Sequence, residues 1–323
     1  MVRPTITVTF HDVKEGMSEA NSGDIMVKDI GIPVEATTTV GPGEFVYYPL
    51  PSPDSHKGDN GRLLVVGGGP YTGAPALVAM GAYRIKVDLV RIAVPERAFV
   101  PVASYSPNFI VHQLSGKRHL VKKDAEEIEE LLFWSDAMVI GPGLGDDKET
   151  AEAIHDIIEG CNKPMVIDAD AITVVAKDLS LLKGKTGILT PHAGEFKRLT
   201  GVPLPMDPEG RMTQAKELAE RTGMTVLLKG RVDVIACADR AKLNRTGNAG
   251  MSVGGTGDVL AGIAGGLLSR EVKPFDAARL AAFVNGTAGD IAYQDMGYCF
   301  LATDVAERIP RAVRAFIDRF LYV

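Results

Sequence analysis

The sequence predicts an α/β protein built on a mainly parallel sheet. Two observations carry this prediction. From about Gly58 onward, short apolar runs alternate with segments of helical spacing, beginning with a strand, a glycine loop and a helix over residues 62–86. Five of the apolar runs also end abruptly in glycine or polar residues, at 67–73, 141–145, 168–170, 192–195 and 229–230. In open α/β sheets ligands bind beyond the carboxyl ends of the strands, so these five loops are expected to line one crevice. At 323 residues, 46% of them hydrophobic, the chain is long enough for a large core without disulfides or metal.

Residues 1–50 differ from the rest. Thr5–Phe10 alternates as a strand does, and Asp24–Ile30 reads as a second strand. A Thr/Gly/Pro-rich passage from Gly31 to Gly43 reads as a connector. This stretch has too few apolar side chains for a core of its own and is expected to lie against the main domain or a neighbouring subunit. The predicted division is therefore an extension over 1–50 and a main domain over 51–323.

Within the main domain, Arg62–Val66 is the first strand and Ala74–Lys86 the helix after its glycine loop. Strands follow at 88–94, 137–140, 164–167, 186–189 and 225–228, with helices at 122–133, 148–159 and 211–221. Residues 232–237 and 241–244 resemble a hairpin, and helices at 259–268, 276–293 and 303–320 close the chain. Gly262, Gly265 and Gly266 are expected to let the first of these pack close to the sheet.

Composition narrows the function. The formal charge is −6 with both signs interleaved, and there is no basic block to hold nucleic acid. The N-terminus lacks the apolar core of a signal peptide, and no apolar run is long enough to span a membrane. Cys161, Cys237 and Cys299 are odd in number, lack a CxxC pair and read as small core residues of a reducing compartment. A cytoplasmic protein is the expectation.

The most informative stretch is Thr246–Asp258, a glycine-rich loop feeding a helix at Val259. Glycines permit positive φ and close approach, and the first helical turn offers unpaired N–H groups and partial positive charge. That is an anion site, suited to phosphate, with the Asp258 carboxylate at its mouth. Asp258 is either a helix-terminal charge or a base that takes a proton from a nucleophile. Lys229 beside Gly230 either holds a nucleotide phosphate or is a solvated lysine. Glu195 either answers the helix N-terminus or holds magnesium through water. His192 is either a core histidine or, as its Pro/Gly turn favours, a ligand contact. Tyr71 and Gly73 read as a flap or a plain turn. There is no Walker loop, no Rossmann acidic partner and no Gly-x-Ser-x-Gly elbow. A carboxylate base with an anion hole remains, which is how a hydroxyl is made to attack a phosphoryl group.

The segments 57–62, 67–74, 141–145, 190–196, 228–230 and 246–260 together resemble the ADP-dependent NAD(P)H-hydrate dehydratases of the ribokinase-like superfamily. Thr-Gly-Asn-x-Gly-Met-x-x-Gly-Gly-x-Gly-Asp, here with Ala249 where proline is frequent, is the most telling of them. The resemblance covers about residues 50–323 and implies a three-layer α/β/α fold with a mainly parallel central sheet. It implies repair of hydrated NADH or NADPH, phosphorylated on the ring hydroxyl at the expense of ADP or ATP with Mg²⁺ and then relieved of phosphate. By position, Asp258 becomes the base that also touches the hydrate. Ala74, Gly143, Gly145 and His192 match substrate positions. Lys229, Gly230, Arg231, Val232, Asp233, Asn248, Gly255, Thr256 and Gly257 match nucleotide positions, of which Arg231–Asp233 are the least typical. A homotetramer is implied as well. Residues 7–11 and 23–33 resemble the tail of the epimerase domain that precedes this module in bifunctional relatives, so a separate epimerase domain is an implied partner and epimerase activity is not expected here. A vitamin-precursor kinase of the same superfamily and a non-catalytic nucleotide-binding module are the competing readings.

Overall fold

The computed structural model describes residues 3–14 and 16–320. The chain forms two compact units, Met1–Thr39 and Val40–Val323. In the first, β1 (Ile6–Phe10) and β2 (Asp24–Lys28) pair in parallel, Ile6 opposite Asp24 and Phe10 opposite Lys28. Two short helices, α1 (Glu19–Ser22) and α2 (Val34–Thr38), accompany them. β2 stops before Ile30 because Asp29 folds back to accept the Gly31 N–H at 2.8 Å. The passage read as a connector holds α2.

The larger unit begins at Val40 and not at residue 51. Val40 and Phe45 are buried in its core, and the Val40 N–H donates to the Leu243 carbonyl at 2.9 Å. Buried Glu44 accepts Lys242 at 3.0 Å and Arg279 at 2.6 Å. A buried carboxylate held by two cations does not belong to a loose connector.

This unit runs β3 (Arg62–Val66), α3 (Gly73–Arg84), β4 (Leu89–Val94), α4 (Glu96–Ser104), β5 (Ile110–Gln113), α5 (Asp124–Trp134), β6 (Ala137–Ile140) and α6 (Lys148–Gly160). It continues with β7 (Met165–Ile167), α7 (Asp170–Val175), β8 (Gly187–Leu189), α8 (Ala193–Thr200), α9 (Pro208–Thr222) and β9 (Thr225–Leu228). The hairpin β10 (Asp233–Ala236) and β11 (Ala241–Asn244) and the helices α10 (Thr256–Ser269), α11 (Pro274–Met296) and α12 (Ala302–Phe320) complete it. The strands form one nine-stranded sheet in the order β11-β10-β9-β8-β7-β6-β3-β4-β5, parallel except for β10.

Strand side chains alternate between faces, and here both faces are covered. Leu63, Val65, Val139, Val166 and Leu227 join one core, with α3, α4 and α10 to α12. Leu64, Val66, Met138, Ile167 and Leu228 join the other, with α5 to α9. The result is the three-layer α/β/α sandwich. The chain crosses from one face to the other where β6 pairs with β3 instead of following β5. That is a topological switch point, and the loops after β3 and β6 flank it.

The glycines of α10 divide their work differently from expectation. A Cβ on Gly265 would lie 2.3 Å from Val139, so this glycine does pack on the sheet. A Cβ on Gly262 would lie 2.0 Å from the Val78 carbonyl, and one on Gly266 would lie 2.7 Å from Ile85. Those two admit α3 rather than the sheet. The cysteines also differ from one another: Cys161 is buried as expected, Cys237 is half-buried and Cys299 is exposed.

Candidate active site

The five polar strand ends belong to β3, β6, β7, β8 and β9, which are contiguous and parallel, so all emerge at one edge. The loops after β3 and β6 interlock at the switch point. The Gly68 N–H donates to the Pro142 carbonyl at 2.9 Å. Gly143 has φ +74°, and a Cβ there would lie 3.2 Å from the Ala74 Cβ and 2.5 Å from the Tyr71 carbonyl. Only glycine fits this position, and it brings Gly143 beside Ala74. Gly73 opens α3, and Tyr71 before it is exposed. Gly145 donates its N–H to Asp170 at 2.7 Å, linking this pair of loops to the end of β7.

Asp168 is the hub of the next group. It is 2% exposed, and its Oδ1 accepts the Thr190 hydroxyl at 2.7 Å and the Lys229 ammonium at 2.8 Å. Lys229 is therefore not a solvated lysine. Burial disfavours its charge, but Asp168, Glu195 and Asp258 outweigh burial and push its pKa up. Its Nζ would lie 3.5 Å from a Cβ on Gly257, so the ammonium faces the first turn of α10.

That turn is held from below. Gly255 caps α10 in the left-handed region at φ 100°. The Thr256 hydroxyl donates to the Met251 carbonyl at 2.8 Å. Asn248 donates to Asp290 and to the Gly289 carbonyl, both at 3.0 Å, and accepts the Gly250 N–H. Asp290 takes the Gly247 N–H with its other oxygen at 3.0 Å. The side chain of Thr256 is thus engaged within the loop and that of Asn248 with both the loop and α11, while the first turn of α10 keeps the unpaired N–H groups of a helix N-terminus.

Asp258, in the same turn, is half-buried. Its pKa is raised to about 7, first by burial and then by the charges of Asp168 and Asp170, with Lys229 opposing. A carboxyl poised there exchanges a proton readily near neutral pH. Burial likewise raises Asp170 and Glu195, and Lys229 opposes the rise at Glu195.

His192 is not a core histidine; its side chain is 56% exposed. It is the N-cap of α8, where its Nδ1 accepts the Gly194 and Glu195 N–H groups at 2.9 and 3.2 Å. Glu195 completes a capping box by accepting the His192 N–H at 2.8 Å through Oε2. Its Oε1 lies 3.5 Å from His192 Nε2, and the carboxylate feels the charges of Lys229 and Asp168. Hard carboxylate oxygens of this kind suit magnesium. Among the described residues no three metal-ligand atoms converge here; the one such cluster is His155, Asp156 and Glu159 on α6.

Beyond β9, Gly230 and Arg231 are exposed and Val232 is half-buried. Asp233 faces inward, accepting the Gly230 N–H at 2.9 Å and Asn244 at 3.0 Å, and burial raises its pKa. Its carboxylate braces the turn. Asp168, Thr190, Asp170 and Asp290 are the participants that sequence reasoning did not single out; only the polar end of β7 signalled the first and third.

The fold and this edge define a three-layer α/β protein, which superposes on a ribokinase-like superfamily protein of Enterococcus faecalis with a TM-score of 0.73 at 23% identity, over 86% of this chain and 96% of that one. More narrowly, the chain belongs to the NAD(P)H-hydrate dehydratase family, which matches residues 63–311. It is 43% identical over 324 residues to the bifunctional NAD(P)H-hydrate repair enzyme Nnr of Pyrobaculum aerophilum, covering 98% of this chain and 64% of that one. It is 40% identical over 267 residues to the ADP-dependent (S)-NAD(P)H-hydrate dehydratase of Cenarchaeum symbiosum, covering 81% and 92%. The ADP/ATP-dependent NAD(P)H-hydrate dehydratase of Bacillus subtilis, co-crystallized with ATP and Mg²⁺, superposes with a TM-score of 0.72 at 27% identity over 86% of this chain and 99% of that one. The chain thus spans a little under two thirds of the bifunctional relative.

Proposed function

We propose that this chain dehydrates the S-form of hydrated NADH and NADPH at the expense of ADP, giving AMP and phosphate. The observation that carries the reading is the proton affinity of Asp258, raised to about 7 in a glycine-bounded helix N-terminus beside Lys229. Ala74, Gly143, Gly145 and His192 bind the hydrated dinucleotide at the switch point. His192 does so through Nε2, since Nδ1 is spent on the helix cap. Lys229 to Asp233 and the turn from Gly255 to Gly257 bind the nucleotide, with Asn248 holding that turn in shape.

Asp258 takes the proton of the ring hydroxyl, whose oxygen attacks the terminal phosphorus of ADP as the bond to AMP breaks. The N–H groups around Gly257 and the Lys229 ammonium carry the charge that builds on the transferring and leaving oxygens. The phosphate then leaves with the C–O electron pair, the neighbouring ring carbon gives up a proton to water, and the pair of that C–H bond restores the ring double bond. Magnesium, held by Glu195 through water, would supply neutralisation of the phosphate charge. Among the described residues no helix is long and apolar enough to cross a membrane, in keeping with a cytoplasmic enzyme. The reading includes a homotetramer, for which light scattering is the check.

The deciding experiment follows the absorbance of hydrated NADH with ADP, ATP or neither, in Mg²⁺. Return of the reduced-nicotinamide spectrum with release of free phosphate supports the dehydratase. Accumulation of a stable phosphate ester would instead support a small-molecule kinase, and no nucleotide-dependent change would remove both.

A further inference from the structure

Gly230 follows Lys229 at the carboxyl end of β9, and its backbone does not explain why it is glycine. It is not in the left-handed region. A Cβ there would lie 2.6 and 3.3 Å from the two terminal nitrogens of Arg211, so the guanidinium occupies the space beside it. The guanidinium, projecting from the first turns of α9, is seated on the exposed face of Gly230.

Arg211 is an unusual neighbour for this position. It is half-buried, and its Nε is buried with no partner. Among the described residues its side chain forms neither an ion pair nor a hydrogen bond. Asp233, a carboxylate that feels its charge, already spends one oxygen on Gly230 and the other on Asn244. Lys229 gives one of its hydrogen bonds to Asp168. Holding the Nε of a guanidinium out of water without a partner costs free energy. Its planar fork matches the paired oxygens of a phosphate.

We infer that Arg211 is a specificity-determining phosphate contact: seated on Gly230, it donates to the phosphate nearest the nucleoside of the bound nucleotide. This rests on the nucleotide reading given above. It makes the site recognise nucleotides rather than nucleosides before any chemistry, because Lys229 is left to serve the transferring group.

The test measures binding of ADP, AMP and adenosine to the full chain by displacement of a fluorescent nucleotide, for wild type, Arg211→Gln and Arg211→Lys. Arg211→Gln is expected to weaken ADP and AMP about tenfold, near 1.4 kcal/mol, and to leave adenosine unchanged. Arg211→Lys, which keeps the charge but not the fork, should recover part of the loss. In turnover the KM for ADP should rise with kcat nearly constant. Equal weakening of ADP and adenosine would mean that Arg211 only shapes the turn, and unchanged ADP binding would mean that it touches no phosphate; either overturns the inference. Wild type that binds ADP yet fails to dehydrate hydrated NADH would sink the dehydratase reading alone, whereas wild type that binds no nucleotide would sink both.

Discussion

Replacing Asp258 with asparagine separates the function of the active site from its cost. The carboxyl is raised from 3.8 to about 7, by burial first and then by Asp168 and Asp170, against the pull of Lys229. A folded-state pKa above the unfolded value means that the folded protein holds the extra proton between about pH 4 and pH 7. Stability therefore falls as pH rises through that window, and the deficit is complete above about pH 7. At roughly 1.4 kcal/mol per unit the ceiling is about 4 kcal/mol. Asp258 is only half-buried, and solvent screening brings the expected figure to about 2 kcal/mol. The asparagine side chain has the same shape and no charge to repel. Asp258→Asn should thus be about 2 kcal/mol more stable than wild type at pH 8 and equal to it near pH 4, measured by urea denaturation at both pH values. The same variant should lose turnover by about 10²- to 10⁴-fold while keeping its affinity for ADP. The acidic limb of the wild-type kcat/KM profile should fall near pH 7. A stability gain of equal size at both pH values, or a loss at pH 8, would refute the reasoning, since either would mean that the carboxylate is not strained by its surroundings.

Lys229→Met should destabilise by about 3 kcal/mol, because it leaves buried Asp168 without its cation. Adding Asp168→Asn should restore part of that, and a double-mutant cycle in denaturant without coupling would contradict the pairing. Gly262→Ala should cost about 3 kcal/mol, since its Cβ would stand 2.0 Å from the Val78 carbonyl. Gly254→Ala, with nothing within 4 Å, should stay within about 0.5 kcal/mol in the same thermal melts. His192→Ala should lose about 1 kcal/mol of helix capping and raise KM for the hydrate, while His192→Asn should recover the capping alone.

Most of the sandwich was legible because its strands are apolar on both faces and end in glycine or polar residues. The elements that escaped had weaker signals. β5 is a four-residue edge strand carrying His112 and Gln113, half-exposed and without an apolar run. α4 contains Pro101 and follows Pro95, so its spacing reads as broken. α7 begins after Ala169, which sits at φ 49°, a conformation that no side-chain pattern announces. At the site, Asp258, Lys229 and the glycine loops were legible because glycine and strand ends mark them in sequence. Which oxygen each residue uses was not, because that depends on contacts between distant segments. Asn248 matches a nucleotide position in the family, yet its amide is bound to Asp290 and Gly289 on α11. Glu195 and His192 cap a helix together, and their remaining atoms, Oε1 and Nε2, lie 3.5 Å apart.

The proton affinity of Asp258 and the position of Lys229 have a common source in the strand order. β7, β8 and β9 are neighbours, so their carboxyl ends lie about 5 Å apart along the sheet edge. Asp168 follows β7 and Lys229 follows β9, with Thr190 at the end of β8 between them. Only a long side chain bridges that gap, and Lys229 does so at 2.8 Å while Thr190 binds the same oxygen from the middle strand. The bridge carries the ammonium to the first turn of α10, beside Gly257. The carboxylate that anchors the lysine there is also one of the two that repel the charge of Asp258. Anchoring the cation and tuning the base are therefore one arrangement. A substitution at Asp168 cannot relax the base without releasing the lysine, whereas Asp170, which binds Gly145 rather than Lys229 and adds to the rise at Asp258, leaves the two effects separable.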